Sequence, residues 1–161
     1  VVYRKNRNEF VTEIFRSTRE GFARKAIEKR DIKTTIRTLK NGGVVWYAPD
    51  QSYNRKQSAV IPFFNRPAMT NTATSVIAKL GNAVVLPFFP RRKENGHYIM
   101  TFKQPLKNFP SDDSVSDTEQ YVKILEKEIR LCPEQYYWIH KKYKNLPMGF
   151  KDFYSNLDEW K

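Results

Sequence analysis

Cysteine is all but missing: Cys132 stands alone in 161 residues. That excludes an internal disulfide framework and any cysteine-rich zinc site. No apolar run approaches the roughly 18 residues of a membrane span, and no signal peptide is recognisable. A starting methionine is also lacking, so the chain, opening on Val1, reads as cut rather than begun. There is no Gly-x-Ser-x-Gly elbow, no Gly-x-x-x-x-Gly-Lys phosphate loop and no glycine-rich dinucleotide fingerprint. The two histidines, His97 and His140, lack the spacing of a metal pair and offer no metal site. His97 reads as a surface residue beside a hairpin, and His140 as a hydrogen-bonded structural histidine.

Negative charge is the minority. Seventeen Asp+Glu face 29 Lys+Arg, a formal net charge of +12, which points to a polyanionic partner: nucleic acid, phosphorylated lipid or an acidic protein. Forty per cent apolar content with 14% aromatic excludes a disordered chain and is enough for one domain spanning residues 1–161.

Helical and strand patterns alternate along it. Phe10, Val11, Ile14 and Phe15 repeat at helical spacing between Asn8 and Thr18. Asp31 is a suitable N-cap for a second helix carrying Ile32, Ile36 and Leu39, which Asn41-Gly42-Gly43 stops. Val44 to Ala48 is a short apolar run rich in strand formers and is expected as a buried strand, as is Ala83 to Leu86. A third helix is expected to start near Pro67, face Met69, Ala73, Val76, Ile77 and Leu80 inward, and end at Gly81. Glu94-Asn95-Gly96 suggests a hairpin turn into Tyr98–Phe102. A loop from Gln104 to Asp117 then precedes a fourth helix, from Thr118 to Leu131, with Tyr121, Leu125 and Ile129 inward. Such alternation predicts an α/β fold, a central mixed sheet flanked by helices.

Asp50 is placed at the carboxyl end of the expected Val44–Ala48 strand, the edge at which open α/β sheets bind ligands. Its carboxylate could orient a base, hold an arginine, bind a substrate hydroxyl or simply cap a turn. Twelve of the basic residues fall in the first 40 positions, and a further group, Lys141, Lys142 and Lys144, lies near the C-terminus. Most of these read as solvated faces. Arg91 and Arg92 differ, because they follow Phe88-Phe89-Pro90 at a strand end, where the guanidinium fork suits phosphate. Most aromatics fall inside strand patterns, which disfavours nucleic acid.

Several stretches together resemble the lipid A biosynthesis acyltransferases, the late lauroyl and myristoyl transferases. They are Val2-Tyr3-Arg4, Arg19, Gly43 to Gln51, Ile61-Pro62-Phe63-Phe64 with Pro67-Ala68-Met69-Thr70, Val85 to Arg92, and Cys132 to Lys144. The family usually writes the last of these as Pro-Glu-Gln-Tyr-x-Trp-x-His-Arg-Arg-Phe-Lys. The resemblance implies a glycerolipid-acyltransferase-like fold, truncated at its N-terminus, and an enzyme at the cytoplasmic face of the inner membrane. It implies transfer of a fatty acyl group from acyl carrier protein or acyl-CoA to a hydroxyl of the Kdo-bearing lipid A precursor, with no cofactor.

The family's catalytic His-x-x-x-x-Asp/Glu is not in the chain: Phe102 lies five residues after His97, and Asn145 five after His140. The dyad is expected upstream of Val1 and the chain alone is expected to be inactive. By resemblance, Arg19 is a phosphate or oxyanion contact and Asp50 a site-organising carboxylate; Arg4, Arg91 and Arg92 are candidate substrate contacts. Many members carry Asp or Asn at position 52 and Gly at 54, where this chain has Ser52 and Asn54. The rival classes are a basic nucleic-acid-binding domain and a noncatalytic membrane-surface module. The ordered motifs favour the acyltransferase, with phosphorylated glycolipid, anionic membrane and an acidic carrier as partners.

Overall fold

The computed structural model describes residues 1–155. It is a mixed α/β chain of four α-helices and three two-stranded sheets. Its described residues divide into two compact units: residues 1–48 with 77–83, and residues 49–76 with 84–155. Among the described residues no helix is long and apolar enough to cross a membrane.

In the first unit, β1 (Val2–Tyr3) pairs in parallel with β2 (Ile27–Glu28). Helix α1 (Glu9–Glu20) starts at Asn8, whose side chain accepts from the Phe10 and Val11 amides, satisfying donors that a helix start leaves open. The expected apolar spacing is present, but the stripe faces outward: Phe10 is 73% exposed, and Ile14 and Phe15 are also exposed. Helix α2 (Ile32–Lys40) is capped by Asp31 as expected, its carboxylate accepting from the Thr34 amide. The last turns of α3 belong to this unit too. There a Cβ on Gly81 would stand 2.8 Å from Leu39 Cβ, so only glycine lets the helix approach so closely.

The second unit holds the larger core. Strands β3 (Ser58–Phe63) and β4 (Arg66–Asn71) form an antiparallel hairpin pairing Phe63 with Arg66. Helix α4 (Ser114–Leu131) packs on β3. Ile61, Phe63, Ala68, Val122, Ile129 and Tyr143 are the buried centre, with Tyr121 and Leu125 packed against it. Strands β5 (Phe88–Arg92) and β6 (Tyr98–Phe102) make the expected hairpin, with Gly96 at φ 81° in its turn.

Three expectations are corrected. Arg66–Asn71 is a strand, and α3 (Ala73–Gly81) begins only after it. Phe64 and Asn65 both take positive φ, 49° and 60°, which is the geometry of a two-residue hairpin loop, so Pro67 sits in a ladder opposite Pro62. Helix α4 starts four residues earlier than expected, because Asp113 caps it through the Val115 and Ser116 amides. Finally, the strands form three pairs rather than one central sheet. Residues 44–48 and 83–86 run without a regular ladder, and Val44 is 94% exposed. A strand is held by its neighbours' amides and carbonyls, and these segments have few: Trp46 accepts from the Val2 amide and Val85 from the Leu106 amide.

Candidate functional site

Phe63 is the point from which the second unit's site is built. It is 0% exposed, and the rings of Phe64, Tyr136, Trp138 and Tyr143 surround it at centroid distances of 4.8–6.5 Å. The Tyr143 hydroxyl donates to the Phe63 carbonyl at 3.1 Å. Three of those rings come from one segment, residues 133–143, which contains two 3₁₀ turns, Pro133–Gln135 and Trp138–His140. Aromatic packing thus fixes the segment, and Lys141 then takes a left-handed conformation, φ 57°. The reversal separates neighbouring lysines: Lys141 stays exposed while Lys142 turns inward and is 3% exposed.

Inside, the Lys142 ammonium donates to the main-chain carbonyl of Asp50 at 2.7 Å. It also stands 3.5 Å from the Thr70 hydroxyl and 5.4 Å from the centre of the Phe63 ring. Burial lowers its pKa from 10.5 to about 8, with the Asp50 charge acting in the opposite direction. Two residues back, His140 Nε2 accepts from the Ser52 amide at 2.8 Å. Burial, and secondly the Lys144 charge, lower its pKa while Asp50 opposes them. His140 is therefore the neutral structural histidine its sequence setting suggested, with the lone pair a general base would need already engaged. The Ser52 hydroxyl donates to the Lys144 carbonyl at 2.8 Å and accepts from Asn145 at 3.1 Å, while the Asn54 amide donates to the Asn145 carbonyl at 3.3 Å. The two positions at which the chain departs from the usual family pattern are thus both tied to the C-terminal segment.

The same segment reaches a second predicted site. The side-chain amide of Gln135 accepts from the Arg92 N–H and donates to the Arg92 carbonyl, each at 2.8 Å. This clamps the end of β5 by its backbone and leaves Arg91 and Arg92 exposed. Cys132 is no nucleophile here. Its thiol donates to Glu134 at 2.7 Å, and that carboxylate raises the thiol pKa, which suppresses the reactive thiolate.

Arg4 and Arg19 belong to the first unit. Arg4 is exposed just after β1. Arg19 is half-buried in the last turn of α1, donating to the Phe15 carbonyl at 3.1 Å and lying 5.2 Å over the Phe15 ring. A cleft of about 320 Å³ bounded by Arg66, Tyr143, Lys151 and Phe153 contains none of the predicted site residues.

Sequence reasoning missed Lys142, grouping it with Lys141 and Lys144 as solvated charge. The available signal was its place between His140 and Tyr143 in an aromatic-rich stretch. Its burial has a testable consequence. The unfolded chain keeps this proton to about pH 10.5, so between about pH 8 and that value the unfolded state binds more protons and stability rises with pH. The full effect is on the order of 3 kcal/mol. Denaturant melts from about pH 7.5 to 9.5 should show a rise that Lys142→Met flattens; parallel slopes would contradict the burial. Tyr121, Tyr136 and Tyr143, all raised chiefly by burial, act the other way only above this window, as the unfolded tyrosines ionise first.

The arrangement holds a carboxylate and exposed guanidinium groups on fixed backbone and offers no activated nucleophile among the described residues. Residues 1–145 match the family described as bacterial lipid A biosynthesis acyltransferase. The chain belongs to that family. It is 36% identical over 155 residues to the lipid A biosynthesis lauroyltransferase of Escherichia coli (strain K12), covering 95% of this chain and 51% of that protein. It is 32% identical to the lipid A biosynthesis palmitoleoyltransferase of the same strain, with 94% and 50% covered. The lipid A biosynthesis myristoyltransferase of that strain is 26% identical, with 90% and 46% covered. The chain thus spans about half the length of the relatives it matches.

Proposed function

We propose that this chain is part of an acyltransferase of lipopolysaccharide biosynthesis. In this reading, the enzyme moves a fatty acyl group from acyl carrier protein or acyl-CoA to a hydroxyl of the Kdo-bearing lipid A precursor at the cytoplasmic face of the inner membrane. One observation carries it: two family motifs far apart in sequence meet, Asp50 and Ser52 being held by Lys142 and His140. The acceptor oxygen attacks the thioester carbonyl, the carbon–sulfur bond breaks, and the proton passes through a general base to the departing thiolate. Among the described residues neither histidine is paired with an acid for that task, and in this reading neither serves as the base. In this reading the enzyme has a fold of the glycerolipid-acyltransferase type.

Asp50 then organises the site, Arg19 stabilises phosphate or developing oxyanion, and Arg4, Arg91 and Arg92 contact the phosphorylated acceptor. The remaining basic surface docks on anionic lipid, where each Lys or Arg near the leaflet contributes about 1 kcal/mol. Binding by the chain itself tests the partner class. Bis-phosphorylated glycolipid should compete better than its dephosphorylated form and better than an oligonucleotide of equal charge. Tighter, strongly salt-dependent oligonucleotide binding would favour the nucleic-acid reading instead.

A further inference from the structure

We propose that Lys142 is a positioning residue for the transfer reaction: gripped between the Phe63 ring and Thr70, it fixes the Asp50 main-chain carbonyl and thereby aims the Asp50 carboxylate. This rests on the acyl-transfer reading above and adds to it a residue outside the family's catalytic dyad.

The grip is rigid because everything behind it is buried. Phe63 and Thr70 are 0% and 1% exposed, and they belong to the paired strands β3 and β4. The loop they restrain, Gln51 to Gln57, has no regular ladder. It is held by an isolated bridge, Ser52 to Thr70, the Tyr53 amide bonded to the Met69 carbonyl, the His140, Lys144 and Asn145 contacts to Ser52, the Asn54 contact to Asn145, the Arg55–Ser58 turn and the Thr72 amide bonded to the Gln57 carbonyl. The Lys142 contact is made at Asp50, the residue just before this loop, so losing it frees the backbone from which the carboxylate projects.

Among the described residues, Asp50 is the acidic group shown acting on Lys142. Its charge is also felt by His140, Tyr121 and Tyr136. On Lys142's own segment, His140 is neutral and has Lys142 and Lys144 acting on it; β3 presents the Phe63 ring and β4 the Thr70 hydroxyl. Deprotonation of Lys142 therefore removes a charge-assisted hydrogen bond to the Asp50 carbonyl and a positive charge that interacts with Asp50 in a single step, and both changes loosen the carboxylate. Its lowered pKa places that loss on the mildly alkaline side of neutrality. An arginine keeps its charge throughout this range.

The test uses the full-length gene product containing this chain, assayed with an acyl-carrier-protein thioester and the Kdo-bearing precursor, together with amide hydrogen exchange over residues 51–57. Lys142→Met should lower kcat about a hundredfold with little change in KM, as misplacement of a catalytic group does. Lys142→Arg should restore most of that loss. Wild-type kcat should fall between about pH 7.5 and 9.5, with a matching drop in loop protection factors, and the arginine variant should be flatter in both. Wild-type kcat or wild-type loop protection in the methionine variant would overturn the proposal. So would an alkaline fall in the arginine variant as steep as that of wild type. If the wild-type product transfers no acyl group, the acyl-transfer reading fails, and loop protection in the methionine variant decides the Lys142–Asp50 coupling.

Discussion

Asp50→Asn in the full-length gene product should lower acyl transfer by about 10²–10³-fold, the usual scale for losing a preorganised electrostatic group. The substitution keeps shape and most hydrogen-bonding capacity while removing the charge, so it isolates the electrostatic contribution. Asp50 acts on Lys142, His140, Tyr136 and Tyr121 at once, and its own backbone is pinned by Lys142. Neutralising it should also lower the Lys142 pKa further, because the one influence shown opposing burial there is lost. A pH titration of stability should therefore show the Lys142 rise beginning at lower pH in the Asn variant. Near-normal transfer at normal expression would remove Asp50 from the site.

Phe63→Ala should be the most damaging single core change, costing about 3–5 kcal/mol. The side chain is wholly buried against four other rings and lies under the Lys142 ammonium. Truncation would leave a cavity that β3, paired along its length with β4, cannot collapse to fill. The charge above it would lose its aromatic face as well. Denaturant melts of the chain measure this directly; a cost below about 1 kcal/mol would mean that the site is not built on Phe63.

Much of this was legible in the sequence where a local rule was sufficient. Asp31 announces α2, and Glu94-Asn95-Gly96 announces the β5–β6 hairpin, because capping and positive φ are properties of a few neighbouring residues. Legibility failed where the decisive partner was distant or the backbone unusual. Phe64 and Asn65 form a tight hairpin loop although phenylalanine is a poor residue for positive φ. Pro67 consequently looked like a helix start. Lys142 is inward only because Lys141 is left-handed, and nothing in three nearby lysines marks which one the chain will bury. Val44–Ala48 has the composition of a buried strand but lacks the neighbours that would make it one.

Among the proposed site residues, Asp50 was marked by the family motif and by an expected strand end that the structure lacks, whereas Lys142, which holds its carbonyl, comes from 92 positions further along. The stripe on α1 is a related case: its helical spacing was readable, but not which way it faces. Periodicity identifies a face without saying what covers it.

The most direct measurement is the mass of the glycolipid product. The full-length gene product, supplied with an acyl-carrier-protein thioester and the Kdo-bearing lipid A precursor, should add the mass of one acyl chain, and Asp50→Asn should nearly abolish that gain. No mass gain from the wild-type product, or an equal gain from the Asn variant, would contradict the account.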